Sequence, residues 1–153
     1  MNFFVYSVLA INLLIVSIDD VLSQDAKYVY DAETECMVTF PSITREFMEA
    51  IKQERKLPDK PTQDFKCFLS CVGKKLEAIV GMELLLDMLK SIAFDITGGE
   101  FTDEEAHEAI NDCIRKAVTP DECELSWEFV DCIVDDIKKF KLHHTFCPTC
   151  KHD

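Results

Sequence analysis

Apolar residues recur at helical spacing along most of the chain, and turn-forming residues separate the runs. Residues 31–38 pattern as a short first helix that carries Cys36 and stops near Pro41. Ser42 is placed to cap a helix over 43–56, in which Ile43, Phe47, Ala50 and Ile51 share a face. Leu57-Pro58-Asp59-Lys60-Pro61 breaks the chain. Residues 63–80 carry the stripe Phe65, Phe68, Leu69, Val72, Leu76 and Ile79, and Gly81 marks the next break. Residues 82–94 are apolar except for Glu83, Asp87, Lys90 and Ser91, which share one narrow stripe. That pattern predicts a helix buried around most of its girth. Gly98-Gly99 ends it. Thr102-Asp103-Glu104-Glu105 has the form of a capping box and opens a helix to about residue 117. Thr119-Pro120-Asp121-Glu122 repeats the signal, with Pro120 at the first helical position. The last helix runs to about residue 141, with Leu125, Phe129, Val130, Ile133, Val134, Ile137 and Phe140 as its apolar positions. The pattern has no internal repeat and predicts one all-α domain of five to seven helices.

Both ends depart from this pattern. Residues 3–18, FFVYSVLAINLLIVSI, form an uncharged apolar run followed by Asp19-Asp20, with Val21 and Ser23 at the −3 and −1 positions of a cleavage site. This reads as a secretory signal peptide over residues 1–23. The alternative, an N-terminal anchor, is disfavoured because a span needs about 20 apolar residues. The expected organisation is residues 1–23 as signal peptide, 24–141 as the helical domain, and 142–153 as an irregular tail containing Pro148.

Charge narrows the function classes. The chain has 16 basic and 29 acidic residues, a net charge of −13. Losing Asp19 and Asp20 with the signal peptide takes this to −11. Phosphate backbones repel such a surface, so nucleic acid is not an expected partner. Anionic membrane surfaces repel it too, and no second long apolar run exists for insertion. A hydrophobic share of 48% excludes a disordered acidic tail.

The cysteines change the picture most. All eight lie beyond residue 23, which points to an oxidising, extracellular compartment and disulfides. Cys36, Cys67, Cys71, Cys113, Cys123 and Cys132 read C-x30-C-x3-C-x41-C-x9-C-x8-C, with Lys-Cys-Phe-Leu-Ser-Cys at 66–71. A metal site built on the C-x3-C fails on supply, because the one histidine before residue 143 is His107. Plant lipid-transfer proteins need adjacent cysteines and a Cys-x-Cys, and saposin-like domains an early Cys-x2-Cys; neither fits. The spacing resembles the insect odorant-binding protein family, which includes the pheromone-binding proteins. The resemblance covers residues 36–132.

Spacing alone leaves on the order of a hundred pairings for eight cysteines. The resemblance implies one set: Cys36–Cys71, Cys67–Cys123 and Cys113–Cys132. It implies a compact, disulfide-stapled bundle of about six helices around an apolar cavity for a small apolar or amphipathic ligand. It further implies a secreted carrier, without cofactor or metal, that solubilises or delivers odorant- or pheromone-like molecules. A membrane receptor is the expected delivery partner, and the chain is expected as a monomer or weak homodimer. By family position, Ile110, Phe129 and Ile133 face ligand, with Leu69 as a further candidate. From the residues themselves, Leu85, Met88, Leu89 and Ile92 form a flexible aliphatic wall. Ordinary core packing remains the alternative for each of these side chains. Tyr28, Ser70, Ser91 and Thr97 are candidate polar partners that would orient a ligand.

The tail, Leu-His-His-Thr-Phe-Cys-Pro-Thr-Cys-Lys-His at 142–152, lies outside the six-cysteine pattern. Cys147 and Cys150 are expected to pair. A metal site from His143 or His144 with Cys147, Cys150 and His152, or intermolecular bridges, are the alternatives. In several members of the family the C-terminus covers the pocket. Leu142 and Phe146 are candidates for such a lid, and His143 and His144 for loosening it near pH 6–7. Catalysis is not expected: His107 lies in an acidic helix and the carboxylates are spread over helix faces. A non-olfactory scavenger of amines or lipids and a ligand-free secreted interaction protein are the other readings.

Overall fold

The computed structural model describes residues 27–54, 56–96 and 104–139. Among the described residues six helices follow one another: α1 (Lys27–Thr39), α2 (Arg45–Glu54), α3 (Gln63–Lys75), α4 (Leu86–Ile96), α5 (Glu104–Lys116) and α6 (Glu122–Lys139). A two-stranded hairpin, β1 (Ile79–Val80) and β2 (Glu83–Leu84), separates α3 from α4. The fold is thus a six-helix bundle closed by three disulfides, as the resemblance implies. The expected signal peptide at 1–23 and the expected tail at 142–153 lie outside the described residues.

Local chemistry corrects four helix boundaries. Ser42 does not cap α2; its hydroxyl donates to Asp64 at 2.8 Å. Thr44 does the capping, accepting from the Phe47 N–H at 3.2 Å, so α2 starts two residues later than the apolar spacing implied. α1 begins at Lys27, before residue 31, because polar residues of its first turns face solvent without interrupting the helix. α6 begins at Glu122, not at Pro120: the Asp121 carboxylate accepts from the Glu124 N–H at 2.9 Å.

The fourth correction is larger. The run 63–80 is not one helix, and 82–94 does not start as one. α3 ends at Lys75 in a two-bond cap, with the Ala78 N–H donating to the Gly73 carbonyl at 2.9 Å and the Glu77 N–H to Lys74 at 3.1 Å. Glu77 takes the left-handed conformation this cap demands, φ 55°, where glycine is usual. Four residues on, Gly81 at φ 61° opens the two-residue hairpin loop, and Ile79 pairs with Leu84 and Val80 with Glu83. Helical spacing in Leu76 and Ile79 could not reveal this, since both stay on the inner side of either structure.

Two apolar clusters make the core. Ile79 and Leu84 of the hairpin join Ile110, Cys113 and Ala117 of α5 and its C-terminal edge with Leu125 and Phe129 of α6. Cys36, Ile43, Met48, Phe65 and Phe68 form the other, between α1, α2 and α3. α6 runs between the two. Phe65 stands edge-on to both Phe47, 5.4 Å between centroids, and Trp127, 6.1 Å.

The bridges are Cys36–Cys71, Cys67–Cys123 and Cys113–Cys132, the pairs implied by the family spacing. They tie α3 to α1, α3 to the start of α6, and α5 to α6. Ion pairs flank them: Lys66–Glu124 at 2.7 Å and Lys74–Glu122 beside the second, Lys75–Glu35 at 2.6 Å beside the first. Such surface pairs contribute about 0–1 kcal/mol each, so the covalent staples dominate.

Candidate functional site

The expected ligand wall divides in the structure. α6 presents Leu125, Phe129 and Ile133 on one stripe because they are spaced four apart. Ile110 of α5 meets that stripe, and Leu89 of α4 packs against it. Ile110 and Phe129 are buried, whereas Leu89 and Ile133 are half-buried around them. Four of the eight candidates therefore come together. Leu69 does not join them; it packs in the other cluster, near Phe68 and Trp127.

Leu85, Met88, Leu89 and Ile92 follow an i, i+3, i+4, i+7 spacing, which gives them one face. Leu85 sits just before α4 and accepts from the Leu89 N–H at 3.0 Å. All four are half-buried, and none of residues 86–95 is fully buried. The all-round burial expected for this helix is not observed, and Phe94 is 48% exposed. The cause is the hairpin. It shortens the helix and takes Leu84 into the core, leaving α4 as an apolar flank with incomplete cover.

The polar candidates also separate. Ser70 is buried on α3, Ser91 is exposed, and Thr97 lies outside the described residues. The Tyr28 hydroxyl donates to Asp95 at 2.7 Å and ties the first turn of α1 to the end of α4. His143 and His144, with Leu142, Phe146, Cys147, Cys150 and His152, lie outside the described residues.

Two features escaped sequence reasoning. Glu33 on α1 is buried, 4% exposed, between Arg45 and Lys52 of α2, each 2.6 Å away. Arg45 also stacks 3.8 Å over the Tyr30 ring and donates to Thr34. Nothing in the local pattern marks Glu33, since a carboxylate in a helix is by default a solvated one. The other feature is an open groove of about 470 Å³. Lys56, Leu57, Pro58, Asp59 and Pro61 supply one side, from the connection between α2 and α3, with Lys66 beside them. Trp127, Asp131, Val134 and Asp135 of α6 supply the other. None of the eight expected ligand residues lines it.

The site offers no catalytic or metal-binding constellation among the described residues. Cys113, Cys132 and Asp136 lie together, but the two sulfurs are bonded to each other and offer no thiolate. Glu46 lies at the first turn of α2. Its carboxyl is held below the usual 4.5 by a backbone hydrogen bond and by the Thr44 hydroxyl, so it marks the start of α2 rather than a reactive group. No helix among the described residues is long and apolar enough to cross a membrane.

No curated protein and no solved structure matches the chain significantly. The sequence pattern of the PBP/GOBP family matches residues 19–136. That stretch holds all six cysteines of the three bridges and most of the helical bundle. Cysteine spacing, bridge pattern, helical architecture and pattern match agree, and the chain belongs to the PBP/GOBP family of insect pheromone- and odorant-binding proteins.

Proposed function

We propose that this protein is a secreted carrier that holds small odorant- or pheromone-like molecules against α4, α5 and α6 and delivers them through aqueous fluid. Membership of the family makes it a carrier of small hydrophobic ligands and not an enzyme. The observation supporting the proposed location is α4. Leu89 packs against the buried Ile110 and Phe129 cluster beside Leu86 and Ala93, and Leu85, Met88 and Ile92, at helical spacing from Leu89, stay half-buried. Apolar surface that folding leaves partly uncovered gains free energy when a ligand covers it, near 25 cal/mol per Å² before ordering costs. Leu85, Met88, Leu89 and Ile92 form the adaptable side of the site, and Ile110, Phe129 and Ile133 the fixed side. Methionine and leucine at the yielding side accommodate ligands of several shapes. Leu69 is left out of this wall because α3 directs it to the other cluster.

The signal-like sequence at 1–23 and the three bridges, which are characteristic of oxidising compartments, support secretion. Competitive displacement of a fluorescent hydrophobic probe tests the carrier reading. Small apolar alcohols and esters should displace it at micromolar concentration. Probe binding without displacement, or no binding at all, would favour a ligand-free interaction protein.

A further inference from the structure

The half-buried aliphatic side of α4 ends in a carboxylate. Asp95 follows Ile92 at i+3 and Met88 at i+7, so the three share one flank of the helix. All three are half-buried. Helical side chains tilt toward the N-terminus of their own helix, so the Asp95 carboxylate leans back over the Ile92 turn. The Tyr28 hydroxyl donates to Asp95 Oδ2 at 2.7 Å and sets the first turn of α1 against the same end. From Leu85 to Asp95 this side of α4 rises about 15 Å. The hairpin precedes its other end, where Leu84 is buried in the core.

The proton at this end is already committed. A phenol carries one, and Tyr28 gives it to Asp95. An ionised carboxylate only accepts. Asp95 Oδ1 takes no hydrogen bond from any described residue. The pair therefore offers an open acceptor and a negative charge, and no proton to donate. The cations nearby in sequence do not offset that charge. Lys27 is paired with Asp31, and Lys90 lies about 140° around α4 from Asp95. A ligand lying along Met88 and Ile92 brings its head group to Oδ1. A head that cannot donate would displace water from that oxygen and leave it unsatisfied.

We infer that Asp95 is the head-group contact of the ligand site, and that it selects ligands whose head donates a hydrogen bond, a hydroxyl or an ammonium, over ethers and carboxylates. The head binds at Oδ1, and the aliphatic chain runs back along Ile92, Met88 and Leu85 toward the hairpin. Tyr28 is a positioning residue: its bond to Oδ2 fixes the carboxylate, and Asp95 alone of the pair need touch the ligand. The apolar wall supplies affinity, and Asp95 supplies orientation and selectivity. An ether in the same place leaves the acceptor unpaired, and a carboxylate head meets a like charge. This inference rests on the carrier reading and gives that site its ligand class.

Displacement of a fluorescent hydrophobic probe from the oxidised protein at neutral pH tests this with four ligands that share one chain: 1-decanol, its methyl ether, decylamine and decanoic acid. The alcohol and the amine should each bind at least about tenfold tighter than the ether and the acid, because a hydrogen bond to a charged acceptor is at stake. Their order shows whether a hydroxyl or an ammonium fits better. Asp95→Asn keeps the shape, removes the charge and adds a donor, so the advantage of alcohol over ether should fall to about twofold or less. Tyr28→Phe should retain that advantage, since the carboxylate still accepts. Equal affinity for alcohol and ether in the unmutated protein would overturn the inference and leave the carrier reading standing. So would an equal weakening of all four ligands by Asp95→Asn, which would make the pair a structural tie. Binding of none of the four would overturn the carrier reading, and this inference with it.

Discussion

Glu33 is the buried charge on which the α1–α2 contact depends. Glu33→Gln keeps the size of the side chain and removes its charge, leaving Arg45 and Lys52 without their anion. Two charge-assisted contacts are lost, each worth about 1.5–3 kcal/mol. Full burial would put the cost at about 3–5 kcal/mol. The side chains of Arg45 and Lys52 are 20% and 23% exposed, and Arg45 keeps its bonds to Thr34 and the Tyr30 carbonyl. Water therefore recovers part of the loss, and the expected destabilisation is about 2–3 kcal/mol, or roughly 10 °C in melting temperature for a domain of this size. Urea unfolding of the oxidised protein, followed by far-ultraviolet circular dichroism, gives the value from the midpoint at constant slope. Lys52→Met and the double variant complete a cycle, with an expected coupling of about 1–2 kcal/mol. A loss below about 0.5 kcal/mol on Glu33→Gln, or a coupling near zero, would refute the reasoning.

The remaining predictions use the same measurement, except the last. Gly73→Ala would bring a methyl group 2.5 Å from Cδ1 and 2.8 Å from Cγ1 of the buried Ile79. The gain of about 1 kcal/mol in helix propensity should be outweighed by overpacking of about 1–3 kcal/mol. A stabilised variant would show that the hairpin yields freely. Glu77→Gly should stabilise by about 1 kcal/mol, because it relieves a left-handed residue at the end of α3; a destabilised variant would contradict the cap geometry. The carboxyl of Glu46 is depressed in the folded protein, so its stabilising effect is present above pH 4.5 and lost as pH falls through its lowered value. Glu46→Gln should cost stability at pH 6 and almost none at pH 2.5; an equal cost at both would refute the assignment. Across a series of linear alcohols, each added methylene should tighten binding by about 0.8 kcal/mol, roughly fourfold, until the wall is covered. A flat series would remove the apolar basis of binding.

The helices were readable because they are written in local spacing, whereas the bridge pairing came from the family resemblance that the cysteine spacing carries. Phe65, Phe68 and Val72 repeat along α3, and Cys67 and Cys71, one turn apart, tie that helix to α6 and α1. The hairpin was not readable, because Ile79 and Leu84 are apolar and inward in a strand as in a helix. The deciding signals were single residues, Gly81 and the left-handed Glu77. Thr44 displaced Ser42 as cap because Ser42 is drawn to Asp64, a partner 22 positions away. Packing among the candidate residues was readable for some of them. Phe129, Ile133 and Ile110 pack in one cluster, while Leu69 follows its helix into the other. Glu33 and the Trp127 groove were invisible for one reason: each depends on which loop or helix lies opposite, and short-range periodicity carries nothing about that. Trp127 offered the one available signal, as a lone indole in the middle of an acidic helix.

The central claim is that ligand sits between α4, α5 and α6. Methyl-resolved nuclear magnetic resonance during titration with a small apolar ligand tests it residue by residue. The expected result is saturable shifts at Leu85, Met88, Leu89, Ile92, Ile110 and Ile133, with Leu57 and Val134 of the groove unmoved. Shifts confined to Leu57 and Val134, or no saturable shift at any of these methyls, would contradict it.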